Sequence, residues 1–133
     1  MGREGDEMGW VSRIFGPSAP KVQPAHLTDA NFVAEVLRSD LPVIVDVWSP
    51  GSGPCQQLES VIMDLASEYQ GRVKVTELNA AEAGRTAARY GVMGTPTVLF
   101  FKRGREVERV VGFAGSRYLR EIVDSELLGA PAS

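Results

Sequence analysis

The chain has 133 residues, 44% of them hydrophobic and 23% charged, a mix that suits one globular domain and argues against wholesale disorder. Fourteen Lys and Arg stand against seventeen Asp and Glu, a net charge of −3, which argues against a nucleic-acid partner. One cysteine excludes an internal disulfide and, with a single histidine, a structural zinc site. No apolar run reaches the roughly 18 residues of a membrane span, and the first residues carry no apolar core of a secretory signal. The expectation is a cytoplasmic monomer with no membrane association and no cofactor.

Residues 1–25 differ in character from the remainder. Pro17, Pro20 and Pro24 with four glycines mark a linker or extended arm, and Met8, Trp10, Val11, Ile14 and Phe15 make a short apolar cluster within it. The domain proper is expected over 26–133. Thr28 is placed to cap a helix carrying Phe32, Val33, Val36 and Leu37 on one face. Pro42 opens Val43-Ile44-Val45-Asp46-Val47-Trp48, a β-branched run of the kind buried in a central parallel strand. A glycine-rich turn, Ser49 to Gly53, leads to a helix with Leu58, Ile62, Leu65 and Ala66 inward, closed by Gly71. Val73 to Leu78 reads as a strand and Ala83 to Tyr90 as a short helix stopped by Gly91. Thr97–Phe101 and Glu106–Val111 form a hairpin about Arg103-Gly104. Ser116 is placed to cap a last helix with Leu119, Ile122, Val123 and Leu127 inward. Alternating strands and helices, then a hairpin and a helix, specify an α/β mixed sheet covered on both faces.

Chemistry concentrates at Trp48-Ser-Pro-Gly-Ser-Gly-Pro-Cys55, where a buried strand ends and a helix begins. Backbone N–H groups at such a junction favour negative charge and lower the pKa of a thiol placed there. Positions 52 and 55 face each other on a first helical turn, so two cysteines there would form a reversible disulfide. The first of the two is Ser52. A serine nucleophile would need a base and an orienting carboxylate, and the only histidine, His26, lies far off in sequence. Asp46 interrupts an apolar strand, which desolvates its carboxyl and raises its pKa. Arg103, Arg105 and Arg109 alternate with Glu106 and Glu108 and read as a solvated face, and Gly51-Ser-Gly-Pro lacks the Lys of a phosphate loop.

From His26 to about Leu128 the chain resembles the thioredoxin family. The matching stretches include His26-Leu-Thr-Asp, Val45-Asp46-Val-Trp48, Gly53-Pro54-Cys55, Tyr90-Gly91-Val, Gly94-Thr95-Pro96-Thr97, Phe101-Lys-Arg-Gly104 and Val111-Gly112. The resemblance implies the thioredoxin fold: a central mixed five-stranded sheet, order 1-3-2-4-5, flanked by four helices. It implies that Cys55 matches the buried resolving cysteine, that Asp46 lies behind it as a proton acceptor, and that Thr95-Pro96 is a cis-proline loop. In the family that loop pairs with an extended substrate segment beside the active site. Trp48, Gly53, Pro54, Met93, Gly94, Thr95, Pro96, Gly112, Phe113 and Ala114 would form the groove.

The departures bear on function. The family's Trp-Cys-Gly-Pro-Cys is Gly51-Ser52-Gly53-Pro54-Cys55 here, and its lysine near the buried aspartate is Glu77. Two neighbouring carboxylates, Asp46 and Glu77, would favour a protonated pair. The dithiol enzyme site is incomplete. The expected function is therefore binding of protein or peptide segments in the groove, with at most mixed-disulfide chemistry at Cys55. A protein-disulfide oxidoreductase in which Ser52 is a trapping substitution and a structural scaffold domain are the alternatives.

Overall fold

The computed structural model describes residues 22–129, so the apolar cluster about Trp10 lies outside the described residues. Five strands form one sheet: β1 (Ala25–Leu27), β2 (Val43–Trp48), β3 (Lys74–Asn79), β4 (Thr97–Lys102) and β5 (Arg105–Val111). Their spatial order is β1-β3-β2-β4-β5. β3 runs parallel to both β1 and β2, whereas β4 is antiparallel to β2 and to β5. The helices are α1 (Val33–Leu37, a π-helical turn), α2 (Gly53–Glu68), α3 (Gly84–Arg89) and α4 (Ser116–Ile122, continued by a π-helical turn over Val123–Leu127). This is the mixed five-stranded sheet with four helices that the sequence implies.

Strand alternation sorts the core into two layers. Ile44, Val75, Val98 and Phe100 face α2 and α4, meeting Leu58, Ile62, Leu65, Leu119 and Val123. Val43, Val45, Val47, Leu99 and Phe101 face the other way, onto Phe32 before α1, Val36 within it and Ala83 before α3. By the same alternation Asp46 and Trp48 share the face of Ile44, turned toward α2. Glu77 shares the face of Val75 and pairs in register with Asp46 on one side and with His26 on the other. Three titratable side chains thus stand in one row across three adjacent strands.

Turn chemistry accounts for the breaks. Arg103 (φ 55°) and Gly104 (φ 77°) are both left-handed, the two-residue type I′ connection whose twist matches flanking antiparallel strands. A Cβ on Gly104 would stand 2.9 Å from the Leu37 carbonyl oxygen, so the turn packs directly on the end of α1. α3 closes with Gly91 N–H donating to Ala88 O and Val92 N–H to Ala87 O, the paired bonds of a Schellman end. The other end of α3 is capped from a distance: Asp29 Oδ1 accepts from Thr86 N–H and Thr86 Oγ1–H.

Two local expectations are corrected. Arg38 N–H donates to Val33 O, an i→i+5 bond that widens α1 and rotates Val33 to 39% exposure while Phe32 and Val36 stay buried. Thr28 still acts before that turn, its Oγ1 accepting from Asn31 N–H while Asn31 Oδ1 accepts from Thr28 N–H. Ser116 is not a cap: it is the first helical residue of α4, and Gly115 holds the N-cap position without a side-chain bond. Among the described residues no helix is long and apolar enough to cross a membrane.

Candidate functional site

The site grows from the junction of β2 and α2. β2 ends at Trp48, and Gly51 (φ 77°) lets the connecting loop turn through the left-handed region. Ser52 is extended (φ −93°, ψ 120°) and caps α2, its Oγ accepting from Cys55 N–H at 3.3 Å. Gly53 and Pro54 follow as the first helical residues, where a missing proline N–H costs no helical bond. Cys55, one residue further, turns inward and is 6% exposed. The hydroxyl at position 52 is therefore a helix cap, and the one thiol is a buried group behind it.

A second loop approaches this junction. The Thr95–Pro96 peptide bond is cis, and Thr95 Oγ1 shares a hydrogen bond with Ser49 Oγ, which ties it to the β2–α2 connection. Thr97 Oγ1 donates to Gly94 O, and Gly112 N–H donates to Pro96 O at 2.8 Å, bringing the end of β5 alongside. Pro96 is buried, while Met93 is 96% and Phe113 49% exposed at the rim.

A cavity of about 390 Å³ opens beside the α2 start, lined among others by Asp46, Trp48, Gly51, Cys55, Glu59 and Glu77. None of Met93, Gly94, Thr95, Pro96, Gly112 and Phe113 lines it. The structure thus divides the residues singled out in the sequence between two surfaces. Asp46, Trp48 and Cys55 belong to the cavity, and the Pro96 loop with Gly112 and Phe113 forms a separate rim. Ser52, Gly53 and Pro54 lie on the short segment of chain at the helix start.

Electrostatics in the cavity centre on Asp46. It is 6% exposed, and among the described residues its Oδ1 has no hydrogen-bond partner. Burial, reinforced by the charges of Glu77 and Glu59, pushes its carboxyl up from 3.8 to about 7. Glu77 raises the pKa of the Asp46 carboxyl as two neighbouring carboxylates are expected to, while its own oxygens face other partners. Trp48 Nε1–H donates to Oε1 at 2.6 Å, and His26 Nδ1 lies 2.6 Å from Oε2. The hydrogen bond and charge of Glu77 in turn raise the pKa of His26 above its ordinary 6.5. His26 Nε2 approaches Glu82 at 3.4 Å, so both ring nitrogens face carboxylates and neither serves Ser52. Sequence reasoning missed this His26–Glu77–Trp48 chain and the place of Glu59. Strand register sets His26 opposite Glu77, and the cavity lining brings in Glu59 from α2. Among the described residues no cluster of His, Cys, Asp or Glu is arranged to hold a metal ion.

Fold and site together define a mixed-sheet domain that presents one thiol at a helix start beside a cis-proline turn. The family model described as Thioredoxin matches residues 23–125. Thioredoxin 1 of Nostoc sp. is 39% identical over 103 residues, 77% of this chain and 96% of that protein. Thioredoxin of Synechocystis sp. is 44% identical over 86 residues, covering 65% and 80%. The M-type chloroplastic thioredoxin of Pisum sativum is 40% identical over 98 residues, covering 74% and 57%. The chain belongs to the thioredoxin family, and it carries Ser52 and a single cysteine, Cys55, at the helix start.

Proposed function

We propose that this chain binds extended segments of protein or peptide partners along the rim formed by the Pro96 loop, and that its redox chemistry stops at a mixed disulfide on Cys55. The observation that carries the reading is the pairing of a helix-cap hydroxyl at Ser52 with the exposed apolar side chains of Met93 and Phe113. Exposed groups of that size beside an irregular loop suit a docking surface. The lone thiol of this chain suits a reducing compartment such as the cytoplasm.

The chemistry follows from the residues present. A Cys55 thiolate attacking a partner disulfide forms one new S–S bond, breaks the old one, and releases the other partner sulfur as a thiol. Asp46, in the wall of the same cavity, accepts the Cys55 proton. The adduct then persists, because the neighbouring Ser52 hydroxyl is not a thiol and cannot complete a second exchange. Gly51 weighs against a single trapping substitution in an otherwise ordinary site. Its φ of 77° is one that L side chains rarely adopt, so the loop is built for glycine where the family carries tryptophan.

Heteronuclear NMR with an extended, cysteine-free peptide tests the binding. Shifts centred on Met93, Gly94, Thr95, Gly112 and Phe113 are expected, and they should weaken in Phe113→Ala. Binding that leaves those signals unmoved refutes the reading.

A further inference from the structure

The cavity beside the α2 start has a composition that the docking rim does not explain. Its floor is the buried pair Asp46 and Cys55, and its mouth is formed by exposed residues, Pro50, Gly51 and Gln56. Three carboxylates line it, from Asp46, Glu59 and Glu77, and among the described residues no Lys or Arg does. Cations on neighbouring elements are directed elsewhere: Lys74 pairs with Glu35, and Arg120 approaches Glu68. We propose that this cavity is a binding site for an organic cation of the alkylammonium class, held by the carboxylates of Asp46, Glu59 and Glu77 against the apolar walls of Trp48, Ile62 and Met63.

Four observations support the assignment. Asp46 is 6% exposed and lines the cavity, and its Oδ1, itself closed to solvent, has no hydrogen-bond partner among the described residues, so the carboxyl has bonding capacity that its surroundings leave unmet. The volume of about 390 Å³ lies within the roughly 300–1,000 Å³ typical of small-molecule pockets. The walls suit an alkyl stem and the carboxylates suit its charged head, the division that lysine side chains themselves show. Both oxygens of Glu77 already accept from Trp48 and approach His26, which holds that carboxylate in fixed geometry as part of the wall.

A cation seated beside Asp46 favours the ionised carboxylate, so binding should release a proton near neutral pH and tighten from about pH 6 to about pH 8. The groups facing Asp46 are Glu77 on β3 and Cys55 and Glu59 on α2, with His26 on β1 acting through Glu77. His26 also loses its charge as pH rises, with Glu82 at its second nitrogen, so it drives the affinity in the same direction. The inference stands on the cavity alone and does not depend on peptide docking at the Pro96 loop.

Lysine carries a butylammonium head and stem, so butylammonium and a blocked Gly-Lys-Gly peptide separate a free amine from a partner's side chain. The protein is titrated with each, and with n-butanol as the uncharged analogue, while NMR follows the Trp48 indole and the Cys55 and Glu59 amides. Saturable shifts with butylammonium are expected, n-butanol binding about tenfold or more weakly. Combined Asp46→Asn and Glu59→Gln should weaken butylammonium by a similar factor, and Glu59→Gln alone, at an exposed position, should weaken it in part. Tighter binding of the peptide assigns the cation to a partner's lysine, and exclusion of the peptide assigns it to a free amine. Equal binding of butylammonium and n-butanol, or undiminished butylammonium binding by the doubly substituted protein, overturns the proposal. Peptide docking fails separately, through the Met93 and Phe113 signals.

Discussion

Replacing Asp46 by Asn should stabilise the protein at alkaline pH and do little at acid pH. The native carboxyl titrates at about 7 against an ordinary 3.8, chiefly because burial penalises its charged form. Between those values the native state holds a proton that the unfolded chain has released, so the contribution of Asp46 to stability falls as pH rises. At about 1.36 kcal/mol per pH unit, the difference amounts to about 4 kcal/mol once the native carboxyl is ionised. The same relation gives about 2 kcal/mol at pH 5 and under about 1 kcal/mol at pH 4. Asn keeps the shape of the side chain and cannot ionise, so its advantage over Asp should follow that curve, less whatever its unpaired amide costs. Urea unfolding of both proteins at several pH values measures the difference directly, and unchanged m-values would show that the unfolded states match. Other titrating groups largely cancel in the comparison. An equal effect of Asp46→Asn at pH 4 and pH 8, or a loss of stability at pH 8, would refute the assignment of a desolvated carboxyl.

Ser52→Ala should cost about 1 kcal/mol in urea, the usual worth of an N-cap, through loss of the bond from Cys55 N–H. Gly51→Ala should cost about 1–2 kcal/mol, because φ is 77° there and no atom lies within 4 Å of an added Cβ, leaving backbone strain as the cause; a neutral or stabilising result would contradict that origin. His26 should titrate by NMR above its ordinary 6.5, and Glu77→Gln should bring it down, since the bond to Glu77 is the main reason for the rise. Because that pKa is raised in the folded state, the His26–Glu77 contact supports folding most below the unfolded value and fades as pH climbs through the folded one.

The β2–α2 junction was legible in the sequence for local reasons. A β-branched run, a Gly-rich turn and a helical apolar period meet there, and each is a short-range signal that the structure keeps. The Arg103-Gly104 turn was legible through Gly104, which suits the left-handed backbone there, whereas Arg103 adopts φ 55° although its residue type seldom does. Val33 and Ser116 were misread because helix pitch and cap position shifted by a residue under tertiary packing, which a propensity pattern does not register. The approach of Glu77 to Asp46 was legible from the family resemblance, but the place of His26 beside Glu77 depends on register between strands distant in sequence. The absence of the Pro96 loop from the cavity lining is a property of the assembled sheet and not of any one segment.

Insulin reduction with dithiothreitol tests the central claim most directly, with Ser52→Cys as the comparison. Residues at i and i+3 on a first helical turn lie close enough for a disulfide, so Ser52→Cys supplies the second thiol that release of a mixed disulfide requires. The protein as it stands should give the rate of dithiothreitol alone, and Ser52→Cys should give a rate above it. A multiple-turnover rate proportional to the concentration of the Ser52 protein would contradict the claim that its chemistry ends at a single mixed disulfide on Cys55.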